Sequence, residues 1–386
     1  MRNVAVVGVG QTAFGEHWDK SLRDLIVEAG NVAINDSGVE RSAIQSLFIG
    51  SMSSGRYAGQ EHLGALAADV LRLTPIPATR FEGACASGSL AFRNAYIDVA
   101  SGQHDCAIVL GVEKMTDVKG PEAITSLAAA GDQEWEAAIG LTFAGLYALI
   151  ARKHMHDFGT TREQMAMVSV NNHKNGVANK YAQFQTSITV QDVLKSSLVA
   201  DPLRLLDCSP ITDGAAALVL MSEEKAKRIA NPVWILGSGQ GSDTLALHDR
   251  ASFTEMPATV VAAKEALKGA GVKISNMSLL EVHDCFSINE LIALEDLGFC
   301  RKGEGGKFVE AGKIAIGGEI PVNTTGGLKA GGHPVGATGV RQIIDIVRQL
   351  RGDSCNQLKN PEYGMNLNVG GSGATAVVNV FGKEMK

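Results

Sequence analysis

Two stretches of this chain share one form: Cys85-Ala86-Ser87-Gly88-Ser89-Leu90-Ala91-Phe92-Arg93 and His333-Pro334-Val335-Gly336-Ala337-Thr338-Gly339-Val340-Arg341. Cys85 and His333, Gly88 and Gly336, and Arg93 and Arg341 each stand 248 residues apart. Small residues leading into an apolar run read as a strand-to-helix turn, written twice. A duplicated unit with a thiol in one copy and an imidazole in the other can assemble a nucleophile and its base. The hypothesis to test is Cys–His acyl transfer.

The repetition extends beyond the turns. Val7-Gly8-Val9-Gly10-Gln11 reappears as Leu236-Gly237-Ser238-Gly239-Gln240, 229 residues later. Residues 39–49 match 272–282 at a spacing of 233, aligning Ser42 with Ser275, Leu47 with Leu280 and Ile49 with Val282. Between these matches lie helix-like stretches, 22–37 and 258–270, with apolar residues at i, i+3, i+4 spacing. The rise in spacing to 248 gives the second half about 15 extra residues, placed most easily in the Gly-rich, charged stretch 301–318. Apolar runs at 4–7, 107–110, 218–221, 233–236 and 376–381 read as strands. Strands alternating with helices predict a parallel or mixed sheet covered by helices. The expected organisation is an N-terminal half, 1–115, completed by 196–225; a helix-rich inserted segment, 116–195; and a C-terminal half, 226–386.

With 386 residues, 45% apolar and 20% charged, the chain supports a large core. The net charge of −6 gives no footprint for nucleic acid. The longest apolar run, 139–151, is 13 residues, short of the ~20 that span a membrane. The opening residues enter a strand pattern without a signal-peptide core, so a cytoplasmic location is expected. Six cysteines lie at 85, 106, 208, 285, 300 and 355, with no C-x-x-C pair. That scatter argues against a disulfide framework.

A thiol at a helix N-terminus sees unsatisfied N–H groups and the positive end of the dipole, which predicts a lowered pKa for Cys85. The same context suits a buried structural cysteine, and the turn alone does not separate the two. His333 stands among glycines, with Pro334 at the first helical position. Its imidazole can accept the thiol proton or donate to an acyl oxygen. In Glu281-Val282-His283-Asp284-Cys285-Phe286, alternation along a strand would put His283 and Cys285 on one face. Asn366-Leu367-Asn368-Val369-Gly370-Gly371 reads as a Gly-rich turn after a strand, able to offer N–H groups to an oxyanion. Gly8-Val9-Gly10-Gln11-Thr12-Ala13 fits a dinucleotide fingerprint, but its recurrence at Gly237 and Gly239 points to a structural turn. His154-Met155-His156-Asp157 lacks helical metal-ligand spacing and reads as a solvated helix face.

Taken together, these residues resemble the thiolase superfamily along nearly the whole chain. The resemblance rests on Glu82-Gly83-Ala84-Cys85-Ala86-Ser87-Gly88, Thr212-Asp213-Gly214-Ala215-Ala216-Ala217, His283-Asp284-Cys285-Phe286, Gly332-His333-Pro334-Val335-Gly336-Ala337-Thr338-Gly339 and Asn368-Val369-Gly370-Gly371. It implies an α/β, five-layered αβαβα thiolase fold built from two duplicated βαβαβ halves with an inserted helix-rich loop domain. It implies that Cys85 carries the acyl group and His333 activates it. The N–H groups of Cys85 and Gly370 would hold the thioester oxygen, and His333 with His283 the enolate oxygen. Ser209 falls where the family contacts the pantetheine arm. Many thiolases place an Asn-Glu-Ala-Phe box where this chain has His283 to Phe286, and a second catalytic cysteine where it has Asn368. The acid/base thiol is accordingly assigned to Cys285, as in sterol-carrier-protein-type and archaeal thiolases.

The implied activity is acetyl-CoA C-acetyltransferase: Claisen condensation of two acetyl-CoA into acetoacetyl-CoA, feeding hydroxymethylglutaryl-CoA and mevalonate synthesis. No metal or cofactor is implied, with coenzyme A thioesters as substrates. The expected partners are a second copy or three (a homodimer or homotetramer) and hydroxymethylglutaryl-CoA synthase, joined through a zinc-containing OB-fold protein. The alternatives are a degradative 3-ketoacyl-CoA thiolase of broader chain length and, in another class, a non-catalytic protein that binds acyl-CoA or lipid or serves as a scaffold. Ketoacyl and hydroxymethylglutaryl-CoA synthases lack the Gly-His-Pro box.

Overall fold

The computed structural model describes residues 2–385. The first half runs β1 (Val4–Gln11), α1 (Leu22–Ser37), β2 (Ser46–Gly50), α2 (Ser54–Tyr57), α3 (Leu63–Val70), β3 (Ala78–Phe81), α4 (Ser87–Ser101) and β4 (Cys106–Glu113). Then come α5 (Gly120–Ala128), α6 (Phe143–Phe158), α7 (Arg162–Gly176), α8 (Val190–Lys195) and a small hairpin, β5 (Leu198–Ala200) with β6 (Leu203–Arg204). Strand β7 (Gly214–Ser222) and α9 (Glu223–Ala226) follow. The second half comprises β8 (Val233–Ser242), α10 (Pro257–Ala270), β9 (Leu279–Glu281), α11 (Ser287–Asp296) and α12 (Gly305–Glu310). It closes with α13 (Gly327–Gly331), α14 (Thr338–Arg351), β10 (Tyr363–Gly370) and β11 (Thr375–Gly382).

Nine strands hydrogen-bond in the order β3-β2-β4-β7-β1-β8-β11-β10-β9. The sheet is mixed, with β2 parallel to β3 and β4, β9 parallel to β10, and the remaining neighbours antiparallel. The halves meet where β1 pairs with β8 through only Ala5–Trp234 and Val6–Val233. Where the first half has β3, the second has only an isolated parallel bridge, Leu280–Val322.

Alternation along the strands sorts side chains into layers. In β4, Cys106, Ile108, Leu110 and Val112 pack with α1 and α3 on one face. Ala107 and Val109 pack on the other, with Phe92 and Ala95 of α4 and Ile343 and Val347 of α14. The outer face of the second half, Leu367 and Val369 of β10 among it, packs with α10, α11 and the inserted α6 and α7. The result is helices, sheet, the central pair α4 and α14, sheet, helices: the five layers expected. Among the described residues, no helix is long and apolar enough to cross a membrane.

Three local expectations change. Gly8 and Gly10 lie inside β1, and Gly237 and Gly239 inside β8, not in turns. A Cβ at Gly10 would collide with the backbone of α1 at Ala29 and Ala33, and one at Gly239 with the backbone of α10 at Ala262. These glycines let each outer helix lie close on its strand. Strand β9 ends at Glu281, so His283 and Cys285 lie in the loop before α11, outside strand alternation. Of His154 and His156, only the latter faces solvent: His154 is buried, hydrogen-bonded to Thr160 Oγ1 at 2.8 Å and facing Glu295 at 3.1 Å.

Candidate active site

Strand β3 leads into the Cys85 turn. Glu82 Oε1 accepts the Ala84 N–H at 2.6 Å. Ser87 Oγ accepts from Gly83 N–H at 3.0 Å and donates to the Ala84 carbonyl at 2.6 Å. Ala84 takes φ 53°, a left-handed conformation that costs about 1–3 kcal/mol for a residue with a Cβ. Such a sharp strand-to-helix turn lifts the next side chain clear of the backbone, the way nucleophiles are presented elsewhere. The expected depression of the thiol pKa is not what the surroundings produce. Burial pushes Cys85 up to about 12, against the lowering effect of a hydrogen bond from the Gly371 N–H. Desolvation of a thiolate outweighs the helix terminus here.

The second turn places His333 at the matching position before α14. Its predecessor Gly332 has φ 101° with an extended ψ of 159°, a conformation open to glycine, so each turn is preceded by a residue of positive φ. Thr338 Oγ1 donates to the Pro334 carbonyl at 3.0 Å, which leaves it an acceptor toward His333 Nδ1 at 2.7 Å. That pattern puts the imidazole proton on Nδ1 and leaves Nε2 with a free lone pair. Burial, helped by the Arg341 charge, lowers the His333 pKa to about 3. At neutral pH, Cys85 and His333 therefore rest as thiol and imidazole, not as an ion pair.

His283 completes the centre. Its ring lies 5.1 Å from that of His333, at 81°. The Cys85 sulfur and one nitrogen of each histidine all lie within 4.8 Å of one another. Asn368 Nδ2 reaches the Cys85 carbonyl at 3.0 Å and His283 Nδ1 at 3.2 Å. His283 Nδ1 accepts in that arrangement, so the proton sits on Nε2, which has no protein partner. A Cys/His/His set has the composition of a zinc site. A protonated Nε2 offers no lone pair to a metal, however, and the arrangement reads better as a hydrogen-bond donor. Burial, with the His333 and Arg341 charges, holds the His283 pKa well below the ordinary histidine range.

Asp284 positions this loop by accepting the Leu328 N–H at 2.7 Å and the Lys329 N–H at 3.0 Å. Those bonds tie it to the segment that leads into His333. The Cys285 pKa is raised well above the ordinary thiol value by burial and by Cys85. Tyr147 donates to the Gly371 carbonyl at 3.1 Å and stacks on Phe286 with ring centroids 4.6 Å apart. Cys85, Cys285 and His333 line a cavity of about 80 Å3, walled by Leu127, Phe143, Tyr147 and Phe286. Ser209 lines it too, with its N–H on the Cys285 carbonyl at 2.8 Å. The N–H groups of Gly371 and of Cys85 itself point at the Cys85 sulfur; Gly370 and Gly371 line a larger adjoining cleft of about 470 Å3 with Gly83 and Ala84.

Four contributors escaped sequence reasoning. Thr338 and Asn368 lay in quoted motifs but had no assigned role. Tyr147 sat inside an apolar helix pattern that resembled plain core. Glu113 was hidden at a strand end, although it accepts the Met52 N–H at 2.8 Å and the Gly336 N–H at 3.1 Å. Burial raises its pKa to about 7.

Comparison with known proteins shows the family. The family model "Thiolase, N-terminal domain" matches residues 4–224, and "Thiolase C-terminal domain-like" matches 239–383. An acetyl-CoA acetyltransferase of Methanothermobacter thermautotrophicus is 54% identical, over 99% of this chain and 100% of its own length. Sterol carrier protein 2 of Bos taurus is 34% identical over 98% of this chain and 72% of its own length. A solved structure described as "Ltp2-ChsH2(DUF35) aldolase" superposes with a TM-score of 0.85 at 27% identity, over 100% of this chain and 98% of that one. The chain belongs to the thiolase family and is an acyltransferase.

Proposed function

We propose that the chain is an acetyl-CoA C-acetyltransferase, condensing two acetyl-CoA into acetoacetyl-CoA and coenzyme A. The observation that carries this reading is a pair of buried thiols and a neutral imidazole around one small cavity. At about 80 Å3 the cavity is far below the ~300 Å3 at which drug-sized ligand sites begin, which favours an acetyl group over a long acyl chain.

The Cys85 thiol gives its proton to His333 Nε2 as the sulfur attacks the first acetyl-CoA. The departing coenzyme A thiolate takes the Cys285 proton, leaving acetyl-Cys85, a Cys285 thiolate and a His333 imidazolium. Cys285 then removes a methyl proton from the second acetyl-CoA. The enolate attacks acetyl-Cys85, and the released Cys85 thiolate recovers its proton from His333. Proton and bond counts close, with no metal or redox cofactor. The N–H groups of Cys85 and Gly370 would hold the oxygen of the acetyl-cysteine, and His283 Nε2–H with His333 that of the enolate. Ser209 would meet the pantetheine arm.

In this reading, residues 1–115 with 196–225 form one catalytic half and 226–386 the other. The inserted segment, 116–195, supplies Tyr147 as part of the wall. Condensation is uphill, so a synthase that consumes acetoacetyl-CoA, on the way to hydroxymethylglutaryl-CoA and mevalonate, fits the chemistry. The neighbour whose description joins Ltp2 to ChsH2(DUF35) supports a search for a second protein, and a dimer or tetramer is expected. A degradative enzyme of broader chain length is the second reading; the larger cleft beside Gly371 is the observation in its favour.

Incubation with acetyl-CoA should leave an acetyl group on Cys85, read by mass spectrometry, and acetoacetyl-CoA should be cleaved by coenzyme A. Absence of both sinks the reading. A Cys285→Ala variant should acetylate yet fail to condense; normal condensation would remove Cys285 from its role. Longer ketoacyl-CoA substrates turned over as fast as acetoacetyl-CoA would favour the second reading.

A further inference from the structure

In the position where many thiolases carry their second catalytic cysteine, this chain has Asn368, fully buried on β10. Its amide nitrogen carries two protons, and both are committed. One goes to the Cys85 carbonyl at 3.0 Å, which can only accept; the other goes to His283 Nδ1 at 3.2 Å. Turning the amide over would set Asn368 Oδ1 against the Cys85 carbonyl, two acceptors face to face, so the orientation is determined. Asn368 Oδ1 makes no hydrogen bond and faces Gly339, at whose Cα a side chain would collide with it.

We infer that Asn368 is a positioning residue that fixes the tautomer of His283, holding its proton on the buried Nε2, which has no protein partner and is free to donate to a bound substrate, while the same amide anchors the Cys85 turn. An imidazole with its proton on Nδ1 would present a lone pair to an enolate oxygen and repel it. The neighbouring His333 is set the opposite way by Thr338, so the two rings present one donor and one acceptor to a shared space. Replacement of the family's cysteine thus has a consequence of its own: once the acid/base thiol sits at Cys285, the vacated position serves to polarise the histidine beside it. Asn368 acts only through its two neighbours. The inference rests on the proposed thiolase chemistry for its kinetic consequences, but not for the tautomer itself.

The test begins with the unaltered chain. Histidine labelled with 15N reports by NMR which ring nitrogen carries the proton, and a His283→Gln variant identifies the signal. The expected result is Nε2–H on His283; Nδ1–H overturns the inference, whatever the enzyme does. In Asn368→Asp the carboxylate only accepts, so the proton should move to Nδ1, and condensation should fall about 100- to 1000-fold, as when one oxyanion donor is lost. Asn368→Ala covers the case in which the buried carboxylate prevents folding. Its kcat for condensation should fall by about tenfold or more, and by clearly more than acetylation of Cys85, which loses only the anchor at its carbonyl. Equal losses in acetylation and condensation would mark Asn368 as structural support for the Cys85 turn alone, and unchanged condensation in either variant would also overturn the inference. If the unaltered chain neither acetylates nor condenses, the thiolase reading fails, while the NMR result still decides the tautomer.

Discussion

The Cys85 and His333 turns occupy equivalent places in the two halves and each follows a residue of positive φ, yet they are held differently. The first is stabilised largely from within, by Glu82 and Ser87. The second is held across the molecule: Thr212 Oγ1 accepts the His333 N–H at 2.9 Å and Glu113 accepts the Gly336 N–H. In return, Asn368 of the second half reaches back to the Cys85 carbonyl. The sheets differ as well. Toward the central helices, β4 presents Ala107 and Val109, whereas β10 presents Asn366 and Asn368. Duplication supplied two frames for presenting a side chain; burial keeps both presented groups neutral, and the polar side chains of the second half orient the two imidazoles.

Removing one member of the pair tests this division most severely. His333→Ala should slow acetylation of Cys85 about 100- to 10,000-fold, the range for loss of a general base, measured by single-turnover mass spectrometry. Acetylation at the wild-type rate would show that the second turn contributes no base.

The resting state provides a gentler test. With Cys85 raised to about 12 and His333 lowered to about 3, the thiolate fraction should grow about tenfold per pH unit across neutrality. Alkylation of Cys85 by iodoacetamide should rise steadily from pH 6 to 9 in proportion. A plateau beginning below pH 7 would reveal a thiolate–imidazolium pair and erase the contrast drawn between burial and helix terminus.

The smallest expected effect concerns the tie between halves. Glu113→Gln turns an acceptor of three backbone N–H groups and the Ser51 hydroxyl into a group that also donates, leaving buried donors without partners. A loss of about 1–3 kcal/mol is expected in denaturant unfolding. No loss would mean that the turns are held in register by their own backbones.

Much of this was legible beforehand because duplication leaves a countable trace. The spacing of 248 put Cys85 and His333 in equivalent turns, and two equivalent turns on facing central helices meet. The His283 and Cys285 box was legible by resemblance, though not for the reason of strand alternation, since β9 stops short of it. Tyr147 was not legible, because a tyrosine in an apolar helix looks the same whether it packs in the core or touches a thiol. Glu113 and Thr212 reach the second turn from far along the chain, each through one backbone N–H of that turn, a contact that leaves no periodic mark.

Residue order by itself determined the two-fold frame, the pair of thiols and the pair of imidazoles, because periodicity and repeated turns are local properties of the chain. Which ring nitrogen carries a proton, whether a thiol rests charged or neutral, and how much room an acyl group has were decided only by the tertiary structure. Those quantities depend on desolvation and on hydrogen bonds such as those of Asn368 to His283, 85 positions away, and to Cys85, 283 away, and only folding buries these groups and aligns them.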